Sequence, residues 1–416
     1  MKQYDSYKDS GVEWIGEVPS HWEIVPFKRA ITINNGCDYK HVQVEENGYP
    51  VIGSGGQFAW ANQYMYDGEA VLLGRKGTID KPMYYNGKFW TVDTMFYGIS
   101  KKNAKCKYLY YQAKIIPFER YATATALPSM TQTDLNNNRI CLPPIDEQSS
   151  IATYLDKKCS EIDNVISAQQ KRIALLQELK QSVITHAVTK GLNTNVEMKD
   201  SGVEWIGEIP SSWNIVRLKS DCSLKGRIGW NGLRSEEFEK ESYAYLVTGQ
   251  DFISSDIDWS KCYQINKVRY DEDPCIQLEN GDLLITKDGT IGKIAKVSNM
   301  DKPACLNSGI FVLKQKSRDE FVQGYLYWSL YSDLLKDFNA YTSTGTTILH
   351  LYQNVFENMP LVVPSKKEQQ EISDYLDKKT KSIDSSISKA QHQVDLLQEY
   401  KLSLITEVVT GKRKVC

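Results

Sequence analysis

An internal duplication constrains the fold of this 416-residue chain more than any other feature. Residues 8–28 read KDSGVEWIGEVPSHWEIVPFK and residues 199–219 read KDSGVEWIGEIPSSWNIVRLK, with 16 of 21 positions identical at an offset of 191. A second pair of similar segments begins at Pro143 (PPIDEQ) and at Pro364 (PSKKEQ), at an offset of 221. The chain is therefore built twice from a lead-in, a variable domain and a long charged helix. The second variable domain is 30 residues longer than the first.

The segments after these two prolines predict long helices. Apolar residues recur at steps of three and four, which is a heptad seam typical of a coiled coil. Ser365 and Glu368 have the spacing of a capping box, and Gly191 and Gly411 predict the helix ends. About 45 residues at roughly 1.5 Å each give rods near 65–70 Å. The seam residues are Ile151, Leu155, Ile162, Ile166, Ile173, Leu176 and Val183 in the first helix, and Ile372, Leu376, Ile383, Ile387, Val394, Leu397 and Leu404 in the second.

Two arrangements of these helices are open. Each helix could pack only on its own domain, or the two could pair with each other. A seam sustained over some five heptads in both copies favours mutual pairing. Polar positions within the seam, at Gln169, Lys180 and Lys401, would lower its stability and help to fix its register.

The variable segments, 29–141 and 220–361, have a different pattern. Short β-rich runs are separated by Gly, Asn and Asp turns, and each segment ends in a helical patch. The patterns predict two α+β domains, each a curved sheet with a few small helices. The predicted division is a lead-in plus domain over 1–141, a spacer helix over 142–191, a second lead-in plus domain over 192–361, and a second spacer helix over 362–416.

The amino-acid composition excludes fewer possible functions than the internal repeat does. The net charge is −2; residues 29–141 carry 13 Lys and Arg against 9 Asp and Glu, and residues 220–361 carry 15 against 20. Nucleic-acid binding requires a local basic stripe rather than a basic average, so these totals neither establish nor exclude it. Nine cysteines without a C-x-x-C pair favour free thiols over disulfides or a zinc site.

The same sequence gives no sign of export or of a membrane segment. The first residues have no apolar core of signal-peptide length. The longest aromatic and apolar stretch, 325–335, is too short and too polar to cross a bilayer and predicts a buried helix. We therefore expect a cytoplasmic protein with no membrane partner.

A search for catalytic motifs finds no candidate residue. The sequence has no P-loop, no N-P-P-[FY] run of an amino-methyltransferase and no convincing glycine-rich loop for S-adenosylmethionine. Glu-x-Lys occurs at Glu178 and Glu399, but both lie on the predicted rods, where a nuclease site would have no pocket. We expect no catalytic residue, metal or cofactor in this chain.

Two turns at corresponding places are candidates for nucleic-acid binding. Residues 74–79 read GRKGTI, and residues 286–293 read TKDGTIGK. A Gly-Thr turn flanked by cations brings N–H, hydroxyl and charge to one point, as contacts with phosphate require. The cations could instead reach guanine in the major groove, or each turn could be a solvated hairpin turn. The candidate residues are Arg75, Lys76, Thr78, Lys287, Thr290 and Lys293.

A second set of candidates lies in loops rich in small hydroxyl residues and beside one tryptophan. Such loops allow close approach of the backbone to DNA, but they also occur without any function. Trp230, which follows a cation closely, could equally be a core residue. The candidate residues are Thr123, Thr125, Thr344, Thr346, Thr347 and Arg227.

The duplicated lead-in followed by P-x-x-x-E-Q and a long helix resembles the specificity subunits of type I restriction-modification systems. The resemblance covers essentially the whole chain and includes the SGVEWIGEVP and SGVEWIGEIP lead-ins and the KGTI and DGTIG turns. It implies two target recognition domains, each reading one half of a split site in double-stranded DNA, with two antiparallel rods as a spacer. It further implies that the rods dock two methyltransferase subunits, which hold S-adenosylmethionine and methylate adenine, and that restriction and translocase subunits complete the assembly.

Two other functions stay open at this point. A self-contained methyltransferase-nuclease would read DNA by itself, and the missing catalytic motifs count against it. A coiled-coil adaptor that binds only proteins would agree with the low net charge, whereas the paired cationic turns disfavour it.

A rigid rod of fixed length predicts a fixed gap between two half-sites. Readers on one face of the duplex would be separated by about one helical turn of DNA. We predict that deleting one heptad from both rods changes the number of unread base pairs or abolishes binding, which can be measured from the DNA motif that the protein selects. An unchanged gap after that deletion would refute the ruler function of the rods.

Overall fold

The computed structural model describes residues 3–120, 128–227, 233–253, 255–316, 320–342 and 351–415. The chain forms two compact units, one of residues 1–171 and 390–416 and the other of residues 172–389. Each unit contains β-sheet, short helices and a segment of each of two long helices. This confirms the predicted α+β class and the internal repeat.

In the first unit a seven-stranded sheet follows a lead-in hairpin. The strand order is β4-β10-β8-β9-β6-β7-β5, in which β6 pairs with β9 in parallel. The elements are β1 (Tyr7–Asp9), β2 (Glu17–Pro19), β3 (Glu23–Pro26), β4 (Ile31–Asn35), β5 (Gln43–Val44), β6 (Tyr49–Gly53), β7 (Gly56–Ala61), β8 (Tyr66–Gly74), β9 (Met83–Thr91), β10 (Met95–Ser100), α1 (Cys106–Ala113), α2 (Gln132–Asn137), β11 (Arg139–Leu142) and the first long helix, α3 (Ile145–Lys190), which continues into the second unit.

In the second unit the same framework is divided into a four-stranded sheet, β15-β23-β20-β21, and a three-stranded sheet, β19-β16-β22. The elements are β12 (Met198–Asp200), β13 (Glu208–Pro210), β14 (Asn214–Arg217), β15 (Cys222–Gly226), β16 (Ala244–Val247), β17 (Phe252–Ile253), β18 (Asp256–Ile257), β19 (Tyr263–Ile265), α4 (Lys267–Asp271), β20 (Leu283–Thr286), β21 (Ile294–Lys296), β22 (Ala304–Leu306), β23 (Ile310–Gln315), α5 (Gln323–Tyr331), α6 (Asp333–Thr342), α7 (Gln353–Phe356), β24 (Pro360–Val363) and the second long helix, α8 (Lys366–Val409), which continues into the first unit.

The extra residues of the second domain lie mainly in one connection. Residues 54–65 join β6 to β8 in the first domain, whereas residues 248–282 join β16 to β20 in the second and hold β17, β18, β19 and α4. The parallel pair is retained, because β16 pairs with β22 as β6 pairs with β9. The insertion therefore enlarges the domain without changing the strands that carry the candidate turns.

The stretch at 325–335 is buried as predicted, but it forms two helices instead of one. Helix α5 ends at Tyr331, and α6 begins at Asp333. Ser332 between them has extended backbone angles and donates its hydroxyl to the Ser329 carbonyl. A hydroxyl that satisfies a neighbouring carbonyl lets the chain leave the helix in a buried position.

Within each unit the two long-helix segments run antiparallel. In the first unit, the beginning of α3 and the end of α8 both contact Trp22, which bonds Glu147 and packs against Gly411. Nine of the fourteen seam residues are buried and five are partly buried. The partly buried ones are Ile173, Leu176, Val183, Ile387 and Leu397.

Two ion pairs cross between the helix segments, and they are the same pair repeated. In the first unit Lys401 Nζ lies 2.6 Å from Asp163, and in the second unit Lys180 Nζ lies 2.8 Å from Asp384. The offset of 221 relates Asp163 to Asp384 and Lys180 to Lys401. The two lysines that interrupt the apolar seam thus each meet a carboxylate on the facing helix, which fixes the register of the pair.

The glutamate of each P-x-x-x-E-Q segment binds the tryptophan of a lead-in. Trp22 Nε1 donates to Glu147 at 3.0 Å, and Trp213 Nε1 donates to Glu368 at 3.3 Å. Glu368 also forms the predicted capping box with Ser365, at 2.7 Å between the side chains. Burial alone would raise the pKa of Glu368, but hydrogen bonds from Ser365 and Trp213 outweigh it and lower the pKa below its usual value.

The glutamine of each segment joins a short helix of the variable domain to a long helix. Gln148 accepts from the Lys105 N–H at 2.8 Å and donates to the carbonyls of Asn103 and Pro143. Gln369 makes the same three bonds, with the N–H of Val322 and the carbonyls of Glu320 and Pro364. Both side chains are fully buried, so each amide is a satisfied polar clamp inside the core.

A buried tyrosine in each short helix holds the end of the other long helix. The Tyr108 hydroxyl donates to the Cys141 carbonyl at 2.9 Å and lies 3.5 Å from the carbonyl of Val409. The Tyr325 hydroxyl lies 2.9 Å from the Val362 carbonyl and 3.1 Å from the Val188 carbonyl. The backbone polar groups at the helix ends are in this way satisfied by the variable domain.

The predicted helix ends are confirmed at both glycines. Gly191 and Gly411 have φ angles of 81° and 75°, a conformation that glycine adopts without strain. A Cβ atom on Gly411 would lie 2.2 Å from Pro19 Cδ, so the lead-in packs directly on the helix end.

The eight cysteines in the described part of the chain carry free thiols, as predicted. Over the same residues, no helix is both long enough and apolar enough to cross a bilayer.

The glutamine clamp predicts a large loss of stability on a near-isosteric change. We expect Gln148→Glu to lower the free energy of unfolding by about 2–4 kcal/mol, because a carboxylate would face two carbonyl oxygens that now accept hydrogen bonds. The measurement is the thermal unfolding midpoint followed by circular dichroism.

The matched control is Gln177→Glu, an exposed position on the same helix. It should leave the midpoint within a degree or two. Equal midpoints for the two variants would show that the Gln148 amide contributes no more than a surface residue.

Candidate nucleic-acid interface

The turn after β8 presents two cations on a fixed backbone. The N–H groups of Arg75 and Lys76 both donate to the Thr94 carbonyl, at 2.8 and 3.3 Å. Gly77 has a φ angle of 79° and donates to the Pro128 carbonyl at 2.9 Å. Both cationic side chains are exposed. These bonds fix the main chain that carries the two exposed side chains.

The turn after β20 is held by a threonine at its base. Thr286 Oγ1 donates to the Thr290 carbonyl at 2.6 Å and accepts from the Lys293 N–H at 3.0 Å. Gly289 and Gly292 have φ angles of 69° and 82°. Thr290 and Lys293 are exposed. A rigid loop again carries a hydroxyl and a cation outward.

Arg75 and Lys287 occupy equivalent places in the two domains. The Lys287 N–H donates to the Gly309 carbonyl at 2.9 Å, as Arg75 does to Thr94. Their own carbonyls accept from Met130 and Leu351, which are separated by the repeat offset of 221. The two turns that the sequence predicts to correspond therefore also make equivalent backbone hydrogen bonds.

Each of these cations also lies over an equivalent aromatic ring. The Arg75 guanidinium is 5.8 Å from the centroid of Phe96, and Lys287 Nζ is 5.2 Å from the centroid of Phe311. A ring face attracts a cation and limits its motion. Lys287 is partly buried and has Asp288 4.0 Å away, so the second turn is less basic than the first.

Two more loops meet the cationic turn in the second domain. Asn307, after β22, donates its N–H to the Val247 carbonyl at 3.0 Å, which brings the ends of β22 and β16 together. A Cβ atom on Gly249 would lie 2.9 Å from Thr286 Cγ2, so the loop after β16 packs against the base of the turn. The three loops line a cavity of about 700 Å³ that includes Lys293 in its wall.

The first domain has the corresponding three loops. The Val92 N–H donates to the Ile52 carbonyl at 3.4 Å, and Arg75 Nη1 lies 3.4 Å from the Asp93 carbonyl. A Cβ atom on Gly53 would lie 3.2 Å from the ring of Phe58, which is 55% exposed. In both domains the three loops therefore meet at one place, here called the loop edge, with different side chains on the same framework.

Arg227 was predicted as a DNA contact, but the structure places it inside the second domain. It is only 2% exposed, and its Nε donates to the Leu306 carbonyl at 3.0 Å. Its Nη2 lies 3.5 Å from Cys305 Sγ, and burial raises the pKa of that thiol to about 11 despite the nearby guanidinium. A side chain this enclosed has no face for a phosphate, so we assign Arg227 a structural role.

The remaining predicted residues divide into two groups. Arg75, Lys76 and Thr78 come together in the first turn, and Lys287, Thr290 and Lys293 in the second. The threonines of the hydroxyl-rich loops lie outside the described residues; they are Thr123, Thr125, Thr344, Thr346 and Thr347.

The sequence argument missed two polar side chains at the cavity of the second domain, Gln250 and Asn307. The segment VIGSG at 51–55 and the segment LVTGQ at 246–250 each have two apolar residues followed by small or polar ones. Comparing these two segments would have placed a loop at the end of β16. The insertion that follows interrupts the similarity and hides the signal.

Comparison with known proteins agrees with the repeat. The family described as "Type I restriction modification DNA specificity domain" matches residues 19–175 and 210–394. The type I restriction enzyme MjaVIII specificity subunit of Methanocaldococcus jannaschii is 25% identical over 354 residues, which cover 83% of this chain and 76% of that protein. The EcoDI specificity subunit of Escherichia coli is 21% identical over 217 residues, 52% of this chain and 48% of that one.

A solved structure has the same fold over nearly the whole chain. It comes from work on complex assembly and conformational transition of the type I R-M system and matches with a TM-score of 0.70 at 14% identity, covering 94% of this chain and 98% of the other. The family match extends over both halves and most of the sequence. The chain therefore belongs to the type I restriction-modification DNA specificity family and serves as a DNA-recognition subunit.

Proposed function

We propose that each variable domain reads one half of a split site in double-stranded DNA through the edge where its three loops meet. The observation that carries this proposal is the equivalence of the turns at Arg75 and Lys287. The two turns share backbone contacts, an aromatic ring under the cation, and a position at the loop edge.

The chemistry of this edge fits DNA reading. Exposed cations and a threonine hydroxyl on a fixed backbone suit contacts with phosphate oxygens, which position a protein on the duplex. An arginine or lysine at the same place can also donate to O6 and N7 of guanine. The proposed DNA-contacting residues are Arg75, Lys76, Thr78, Lys287, Thr290 and Lys293.

We assign methyl transfer to partner subunits and not to this chain. In this proposal two methyltransferase subunits bind S-adenosylmethionine and extrude the target adenine from the duplex. This chain recognises the DNA sequence and binds the DNA. Restriction and translocase subunits would complete the assembly. The absence of methyltransferase motifs from the sequence supports this division of labour.

Exposed apolar side chains on the long helices supply a docking surface for such partners. Leu175 and Leu179 are 53% and 48% exposed in the second unit, and Leu396 and Tyr400 are 49% and 51% exposed in the first. The offset of 221 relates each residue of one pair to one of the other. Two equivalent surfaces suit two copies of one partner.

DNA binding by the assembled protein tests the proposal. We expect Lys76→Ala or Lys293→Ala to weaken binding to duplex DNA and to lower the slope of log K against log salt concentration by about 1, because each removes one phosphate contact. Fluorescence anisotropy over a salt series measures both quantities.

Lys102→Ala, an exposed lysine outside the three loops, is the matched control and should leave the slope unchanged. Salt-insensitive binding, or no binding by an intact complex, would favour a protein adaptor.

The docking surface predicts the number of partner subunits. We expect Leu396→Asp to reduce two bound methyltransferase subunits to one, and Leu175→Asp with Leu396→Asp to remove both, because a charge in an apolar contact weakens it by about tenfold or more. Native mass spectrometry of the co-purified complex gives the ratio.

The repeat supplies the control, Lys157→Asp with Lys378→Asp, an equivalent pair of exposed positions nearer the start of each helix. This variant should retain both partners. Two partners bound to the doubly substituted leucine variant would place the docking surface elsewhere.

A further inference from the structure

The cavity of the second variable domain contains a side chain suited to reading one base. We propose that Gln250 reads an adenine in the half-site bound by this domain, an adenine that is not itself methylated. The inference rests on the proposed function, since it names the base that one of the two reading edges recognises. Gln250 lies in the wall of the cavity and is exposed.

The backbone that carries Gln250 is fixed from below. Asp251 is buried, and its carboxylate accepts from both the N–H and the hydroxyl of Thr248, at 2.7 and 2.9 Å. The Gln250 N–H donates to Thr248 Oγ1 at 3.3 Å. Gly249 between them packs on Thr286, at the base of the cationic turn. Because the backbone of this loop is already fixed, little backbone entropy is lost when the Gln250 side chain meets a base.

The hydrogen-bonding capacity of Gln250 distinguishes it from its neighbour in the cavity. Asn307 Oδ1 accepts from the Ser308 N–H at 2.8 Å, so its acceptor oxygen is already used in a hydrogen bond within the loop. Among the described residues the Gln250 amide has no such partner, so one donor and one acceptor remain together. Adenine presents an acceptor, N7, beside a donor, N6, in the major groove, and glutamine matches both.

The surroundings favour a nucleic acid at this place. Lys293 and Thr290 lie in the same cavity wall and are exposed, and Lys287 lies at the base of the same turn. Asp288 is the carboxylate at this rim. The cations can contact the DNA phosphates while Gln250 reaches the edge of a base. Contacts that position the protein on DNA are then separate from the contact that recognises the base.

The first domain lacks this reader. The bond from Val92 to Ile52 corresponds to the bond from Asn307 to Val247, so Gln250 corresponds to Gly55. A Cβ atom on Gly55 would meet nothing within 4 Å, and the glycine presents no side chain to a base. In this proposal the same position contacts a base in the second domain, through Gln250, and makes no side-chain contact in the first, where it is Gly55. Two similar domains can recognise different half-sites in this way.

The test is a methylome of a methylation-free host that expresses this chain with its methyltransferase partner. The wild-type chain should give one split motif with a fixed gap, and its absence would overturn the proposed function itself. For Gln250→Ala we expect the other half and the gap to persist while one A·T position tolerates other bases tenfold or more better. For Gln250→Glu the same position should shift toward cytosine, whose N4 amine donates to a carboxylate.

Gln370→Ala, an exposed glutamine on α8 in the same unit, is the control and should leave the motif intact. Co-purification with the partner verifies that each variant is folded. A wild-type motif retained by both Gln250 variants would overturn the assignment while leaving the proposed function intact. Loss of all methylation from a folded complex would also overturn it, because a reader of one base affects one position.

Discussion

Antiparallel pairing of the long-helix segments is the constraint on which the rest of each unit depends. The register is set by the pair Asp163–Lys401 in one unit and Lys180–Asp384 in the other. Each lysine is only about one-fifth exposed, so each pair is partly sheltered from water. Pairing brings the start of one helix beside the end of the other. The lead-in and the short helix of the variable domain can then bind both at once.

The contacts that join these parts use the same residue types in both halves. A tryptophan binds a glutamate, a glutamine binds three backbone groups, and a tyrosine holds a helix end. The residue types that recur in the two repeats thus form equivalent hydrogen bonds in both halves. The variable segments differ instead in the three loops that meet at the loop edge, where Gln250 takes the place of Gly55.

Much of the fold could be predicted because its signals are periodic or repeated. The helix bounds follow from the heptad seam, the capping box at Ser365 and the terminal glycines. The prediction failed where a single local contact decides, as at Ser332, whose hydroxyl ends a helix inside a continuous apolar stretch. Arg227 was misplaced for a similar reason, since a hydrogen bond to Leu306, 79 residues away along the chain, holds it inside the domain. The turns at Arg75 and Lys287 were found because they recur, whereas the Gln250 loop was hidden by the insertion after it.

The glutamine clamp has a consequence for how such a chain can change over evolutionary time. The groups of the variable domains that Gln148 and Gln369 bind are all main-chain N–H and carbonyl groups. Almost every residue supplies these groups, so drift in the side chains of the domain leaves the clamp unaltered. The attachment of the variable domain to the long helices therefore does not depend on the side chains of that domain. A lineage can change the DNA sequence that it recognises without changing the helices that hold the domain.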